Sequence, residues 1–250
     1  METSHIAPIT SDDVQRLENV LDDTPTRGVT RRALIGRAAA TAAIVSAGAP
    51  AMALARSPSS QISQVVDTAV TAEALAVTYL TGLIEHASQT GVSKFVDVLK
   101  AANAAEYDHY KALVSLGATP ITTKFWAPDA FFKPGAPFKV LELAETLFVD
   151  AYLIATTAFA SAGKSDLARY AGEIGGVEAQ HLALVRFARN ELPDDRAFQG
   201  YAIKDIGGIV AALETAGVGF GKPGAMPGKF YSFTPPPASA LVAINNNSPM

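Results

Sequence analysis

From Ser59 onward, apolar residues recur three and four positions apart, the period of a helix that buries one face. Ile62, Val66, Ala69, Glu73, Ala76, Leu80, Leu83 and Ala87 form a first stripe, closed by Gln89-Thr90-Gly91. Val92, Phe95, Leu99, Ala102, Glu106, His109, Leu113 and Leu116 form a second, with Gly117 where a helix carboxyl end is expected. A third stripe runs Phe138, Leu141, Glu145, Phe148, Tyr152, Ala155 and Phe159, and stops at Gly163. The fourth, Leu167, Ala171, Ile174, Glu178, His181, Val185 and Ala188, begins where Ser165 or Asp166 can cap a helix and ends before Pro193 forbids its continuation. Glutamate and histidine therefore stand at positions that the pattern assigns to the interior.

Only a few residues separate the first stripe from the second and the third from the fourth, so each pair predicts an antiparallel hairpin. The pairs are joined by Ala118 to Pro137, in which Pro120, Pro128, Pro134 and Pro137 break any helix. Twenty residues of extended chain reach about 65 Å, whereas a helix of twenty-five spans about 37 Å, so this segment can cross the full length of the helices. The prediction is an all-α four-helix bundle over residues 56–200 with one long crossover loop. Phe125, Trp126, Phe131 and Phe132 are expected to pin that loop to the helices. Beyond Leu192 the period weakens. Asp205 to Thr215 predicts one short amphipathic helix, and the Gly, Pro, Ser and Asn that dominate from Gly217 predict an irregular extension over 201–250 with a flexible end.

Composition narrows the chemistry. The chain has 250 residues, of which 49% are hydrophobic and 18% charged, enough for one domain with a sizeable core. A net charge of −4 with scattered Lys and Arg offers no basic stripe for nucleic acid and no polybasic segment for anionic lipid. With no cysteine, disulfides, thiolate metal sites and cysteine nucleophiles are excluded, and any metal must be held by oxygen and nitrogen. Residues 1–29 are polar. Thr30-Arg31-Arg32-Ala33-Leu34-Ile35-Gly36 then precedes a mildly apolar Ala-rich run, and Ala53-Leu54-Ala55 supplies a small-x-small cleavage site. Residues 1–55 therefore resemble a twin-arginine export signal, although the lysine that often closes the motif is missing. The expected location is periplasm, cell envelope or extracellular space, with no stable membrane span in the mature chain.

The candidate chemistry lies in a repeat. Glu106-Tyr107-Asp108-His109 and Glu178-Ala179-Gln180-His181 are two Glu-x-x-His steps, and on a helix residues three apart share a face. Glu73 precedes Glu106 by 33 residues, Glu145 precedes Glu178 by 33, and the two sets are offset throughout by 72. A Glu helix followed by a Glu-x-x-His helix thus occurs twice in one phase. The candidate metal ligands are Glu73, Glu106, His109, Glu145, Glu178 and His181. Glu142, three before Glu145, is an alternative on the third helix, though the phase of the repeat favours Glu145. Tyr152, one heptad beyond Glu145, is placed either to pack in the core or to serve beside a ligand as a hydrogen-bond partner or redox-active phenol. His86 lacks the spacing and reads as a helix-surface residue. Gly172, Gly175 and Gly176 are expected to permit close helix approach.

These residues resemble the ferritin-like di-metal carboxylate superfamily, in which two helices each give a Glu and two each give a Glu-x-x-His. More narrowly, the twin-arginine leader, the run Ala104-Ala105-Glu106-Tyr107-Asp108-His109-Tyr110 leading to Leu116-Gly117-Ala118-Thr119-Pro120, and Ala144-Glu145 leading to Asp150-Ala151-Tyr152 resemble exported ferritin-like proteins that include the desiccation-related proteins. The resemblance implies two divalent cations, iron ahead of manganese, with Glu106 and Glu178 bridging, Glu73 and Glu145 closing the ends, and one His on each ion. It implies redox chemistry on iron, oxygen or peroxide, and it is compatible with a homo-oligomer. The alternative it leaves open is a non-catalytic envelope or stress scaffold with a vestigial or structural metal site. The export reading carries its own test: replacing Arg31 and Arg32 by Lys should leave the protein in the cytoplasm by fractionation, and unchanged secretion would reject it.

Overall fold

The computed structural model describes residues 58–245, so the twin-arginine region lies outside the described residues. Four long helices carry the four stripes: α1 (Pro58–Glu85), α2 (Val96–Ser115), α3 (Pro137–Ser161) and α4 (Ser165–Ala188). Between α1 and α2 the chain makes one helical turn, Ala87–Thr90, closed by Gly91 at φ 81°, and a short 3-10 turn at Ser93–Phe95. Gly117 and Gly163 end α2 and α3 with φ of 90° and 69°, a left-handed conformation that glycine adopts without steric penalty. The expected side-chain cap of α4 is not formed, because the helix begins at Ser165 itself and its N-cap position falls on Lys164, which cannot accept a hydrogen bond.

The helices pack α1 on α2, α3 on α4, α1 on α3, and α2 on α4. Leu80 and Leu83 of α1 are 1% and 0% exposed, and burial of each contributes roughly 1.5–3 kcal/mol. α3 is long and apolar enough to cross a bilayer by composition, but α1, α4 and the C-terminal segment cover it and leave it as the central buried helix.

The short helix expected over Asp205 to Thr215 forms, whereas the segment beyond it departs from the irregular extension expected from Gly217 onward. Asp205 caps helix α5 (Ile206–Thr215) by accepting from Gly208 N at 2.9 Å, and α5 packs on α3 and α1. Beyond it, β2 (Gly219–Phe220) and β3 (Gly228–Ser232) flank β1 (Lys124–Pro128) of the crossover in an antiparallel sheet of order β2-β1-β3. Phe125 is paired with Phe220 on one side and Tyr231 on the other. The glycines read as signs of irregularity allow close packing instead: a Cβ on Gly219 would collide with the Lys222 carbonyl, and one on Gly224 with that of Gly217. The fold is thus mostly helical with one small sheet.

The crossover is pinned as its aromatic content predicts, in part. Phe125 and Phe131 are buried, and the Tyr79 hydroxyl of α1 donates to Phe131 O at 2.7 Å. Trp126 turns the other way, stacking edge-on against Phe230 and donating from Nε1 to Met226 O at 3.0 Å. At the start of the crossover, Thr119 N donates to Asp67 Oδ1 at 2.8 Å and Ile121 N to Thr71 Oγ1 at 2.9 Å. The far end of the chain returns to α2, where the fully buried Asn103 donates to Ala240 O at 3.1 Å.

Asp150 of α3 anchors the approach to α5 by accepting from Ala202 N at 3.1 Å and Ile203 N at 2.9 Å, both at Oδ2. Burial raises its pKa from 3.8 to about 6 despite those donors. A raised carboxyl pKa favours folding at low pH, so this contribution is lost as pH rises from about 4 through about 6. Asp150→Asn keeps one acceptor oxygen and cannot ionise. Its stability relative to wild type should therefore rise by about 1–2 kcal/mol between pH 4 and pH 7, after allowance for partial hydration of the group. Urea denaturation of both proteins across that range measures the difference, and a constant offset would contradict it.

Candidate metal centre

The periodicity that forms each helix also sets which of its Glu and His side chains meet in the interior. Glu73 of α1, Glu106 of α2, Glu145 of α3 and Glu178 of α4 sit on the buried faces, exposed by 1%, 0%, 4% and 0%. His109 and His181 follow Glu106 and Glu178 by three residues, and their side chains keep 12% and 9% exposure. The structure brings all six together in two overlapping groups: Glu73, Glu106, His109 and Glu178; and Glu106, Glu145, Glu178 and His181.

Glu106 and Glu178 belong to both groups, and each divides its oxygens between the two histidines. Glu106 places Oε2 at 3.3 Å from His109 Nδ1 and Oε1 at 2.8 Å from His181 Nδ1. Glu178 places Oε1 at 3.2 Å from His109 Nδ1 and Oε2 at 3.5 Å from His181 Nδ1. Glu73 Oε2 lies 3.7 Å from His109 Nδ1, and Glu145 Oε2 lies 3.9 Å from His181 Nδ1. Donors about 2.1 Å from one ion are about 3 Å apart at right angles and about 4.2 Å apart when opposite, so these spacings suit a shared cation.

Hydrogen bonding does not account for the cluster. Glu73 Oε2, Glu106 Oε1, Glu145 Oε2, both oxygens of Glu178 and His181 Nδ1 are buried without a hydrogen-bond partner. The 2.8 Å approach of His181 Nδ1 to Glu106 Oε1 is out of line for a hydrogen bond, so proximity there leaves both atoms unsatisfied. Six orphaned polar atoms converging on one interior volume fit a cation, because native interiors otherwise pair such groups. The donors are hard oxygen and imidazole nitrogen, a set open to several divalent cations.

The protons take up the same task. Burial, then repulsion from Glu106 and Glu178, raises the pKa of Glu73 well above the usual range, and burial does the same for Glu145. Burial also pushes Glu106 up, but His181 and His109 outweigh it and hold Glu106 well below that range. Burial disfavours the charged form of both imidazoles, yet the surrounding carboxylates raise His109 and His181 well above the ordinary value. The cluster therefore takes up positive charge wherever its geometry allows.

The residues around it sort the alternatives. Glu142 lies outside both groups: Arg189 donates to its Oε2 and Arg186 lies 3.9 Å from its Oε1, while Arg186 also makes a two-pronged pair with Asp195 at 2.7 and 2.9 Å. Arg186 is buried, although in the sequence it stands only as a basic residue in the last turn of α4. Tyr152 is buried, packing in the core while its hydroxyl donates to Glu73 Oε1. Gly175 is the glycine that lets α4 approach, since a Cβ there would lie 3.0 Å from Tyr152 Cβ, whereas Gly172 and Gly176 face open space. His86 is exposed and apart.

Compared with family models, curated proteins and solved structures, the chain gives no match. What can be said of the site therefore rests on its own geometry: a buried Glu/His group able to hold a metal ion.

Tyr152→Phe tests the outer contact. It removes the donor to Glu73 Oε1 while keeping the ring, and partners of this kind contribute roughly 10–100-fold to metal affinity. Anaerobic titration with Fe(II) or Mn(II) should show weaker binding by at least about tenfold, with the near-UV circular dichroism otherwise retained. Equal affinities would show that the phenol does not orient Glu73.

Proposed function

We propose that this chain is an exported ferritin-like four-helix bundle holding two divalent metal ions and using them for redox chemistry on iron, oxygen or peroxide. The observation that carries the reading is the division of Glu106 and Glu178, one oxygen of each toward either imidazole. Glu73 and His109 would complete one position, and Glu145 and His181 the other. Two divalent cations would balance four carboxylate charges in an interior where each unpaired ion is destabilising by several kcal/mol.

Bound metal would supply the one-electron steps that carboxylates and imidazoles do not provide. The chain's own part is to hold the donors. Tyr152 orients Glu73, and Arg186 and Arg189 keep Glu142 away from the cluster. Low exposure of all four carboxylates excludes bulk water and so strengthens every electrostatic contact inside. Iron is preferred to manganese as the working metal, and ferrous iron could equally be the substrate.

Thermal melts under anaerobic conditions, with and without Fe(II) or Mn(II), test this together with metal content. Wild type should bind two ions per chain and gain about 2.7 kcal/mol at a free concentration one hundred times the dissociation constant. His109→Ala and His181→Ala should each lose most of that increment yet fold without metal, since the apolar seams remain intact. Loading should also release protons, because the ligands bind deprotonated. A wild-type melt indifferent to metal would favour the scaffold reading, in which the helices serve contacts made by crossover and tail.

A further inference from the structure

The 72-residue repeat makes the two ends of the centre chemically unlike. Beside Glu73 stands the Tyr152 hydroxyl, whereas the repeat-related position beside Glu145 is Leu80. Leu80 forms part of the wall of a cavity of about 50 Å³ between α1, α3 and the sheet, and Glu145 lines the same cavity. Phe148 of α3, Phe125 of β1 and Leu213 of α5 also line it, so the crossover and the tail both contribute to its wall.

The wall is almost wholly carbon. Of its polar lining groups, Tyr79 and Thr78 use their hydroxyls elsewhere, Tyr79 donating to Phe131 O at 2.7 Å and Thr78 to Ala74 O at 2.6 Å, while Tyr231 and Glu145 border it almost wholly through carbon. A water fits by volume, since about 10–15 Å³ suffices, but it requires two to four polar partners that this wall does not supply. A benzene-sized guest needs roughly 150 Å³, about three times the space present. The occupant that fits is an uncharged, apolar molecule of two or three heavy atoms.

We propose that this cavity is a docking site for dioxygen on the Glu145 side of the centre. Hydrogen peroxide, with two donors and two acceptors to satisfy, is excluded by the same wall. That the guest is dioxygen, and the use to which it is put, rest on the di-metal reading; the cavity's capacity for a small apolar molecule does not.

Xenon is the probe for the cavity, because apolar cavities take it up without any chemistry. With purified wild-type protein under xenon pressure, methyl resonances of Leu80 and Leu213 should shift saturably. Ala216→Leu, which places a larger side chain at the cavity wall, should abolish the shifts, and Leu213→Ala should increase uptake at least twofold. Wild-type methyls unmoved by xenon would overturn the proposal, as would shifts unchanged in Ala216→Leu. Should Ala216→Leu fail to fold, Leu213→Ala decides alone, unchanged uptake counting against the site. In the kinetic arm, Ala216→Leu should raise the dioxygen KM of Fe(II) oxidation about tenfold while anaerobic Fe(II) binding and peroxide-driven oxidation stay as in wild type; equal slowing with both oxidants would refute the selectivity. Failure of wild type to bind Fe(II) would remove the metal centre and leave the cavity to the xenon result.

Discussion

Four carboxylates gathered within an apolar interior impose the condition that the other features satisfy. None of Glu73, Glu106, Glu145 and Glu178 is more than 4% exposed, so water cannot stabilise their charge. Something positive must. Protons fill the role without metal, pushing Glu73 and Glu145 toward the neutral form and the imidazoles toward the charged one. Because ligand carboxylates bind metal deprotonated, any metal loading here would release protons. The neighbouring Glu142 shows the other solution, being neutralised by Arg189 and Arg186 and thereby withheld from the cluster.

The repeat supplies this arrangement economically, and its departures from symmetry give it direction. Glu106 and Glu178 face both imidazoles alike, while Glu73 and Glu145 each face one. Around that symmetric inner set, Tyr152 gives Glu73 a hydrogen-bond donor and Leu80 gives Glu145 a carbon wall. Gly175 sits where α4 passes Tyr152, so a side chain there would press on the residue that orients Glu73. One end of the centre is thus held by polar contact and the other borders a cavity.

The extension acquires a role from the same geometry. Phe125 of the crossover and Leu213 of the tail, 88 positions apart in the chain, meet over the cavity beside Glu145. Asp150 and Asn103 hold the tail in place from α3 and α2, each through backbone groups of the C-terminal segment. Segments read as a loop and a tail therefore complete the surroundings of the site.

Which residues lie inside was legible in the sequence because a helix repeats every 3.6 residues, so the stripes through Glu73, Glu106, Glu145 and Glu178 mark inward faces before any packing is known. The repeat offset of 72 likewise singled out Glu145 over Glu142, and the Glu-x-x-His spacing joined each imidazole to its carboxylate. These are local or periodic properties, carried by the chain itself. The β2-β1-β3 sheet was not legible, since pairing Phe125 with Phe220 and Tyr231 depends on backbone hydrogen bonds between segments about a hundred residues apart, and glycine-rich sequence reads the same whether it is loose or tightly packed. Nor could it be known that Arg186 and Arg189 would claim Glu142, or that Gly175 alone of three glycines would meet Tyr152. Periodicity determines which side of a helix is buried; only the docking of one helix and one strand against another decides what each buried group touches.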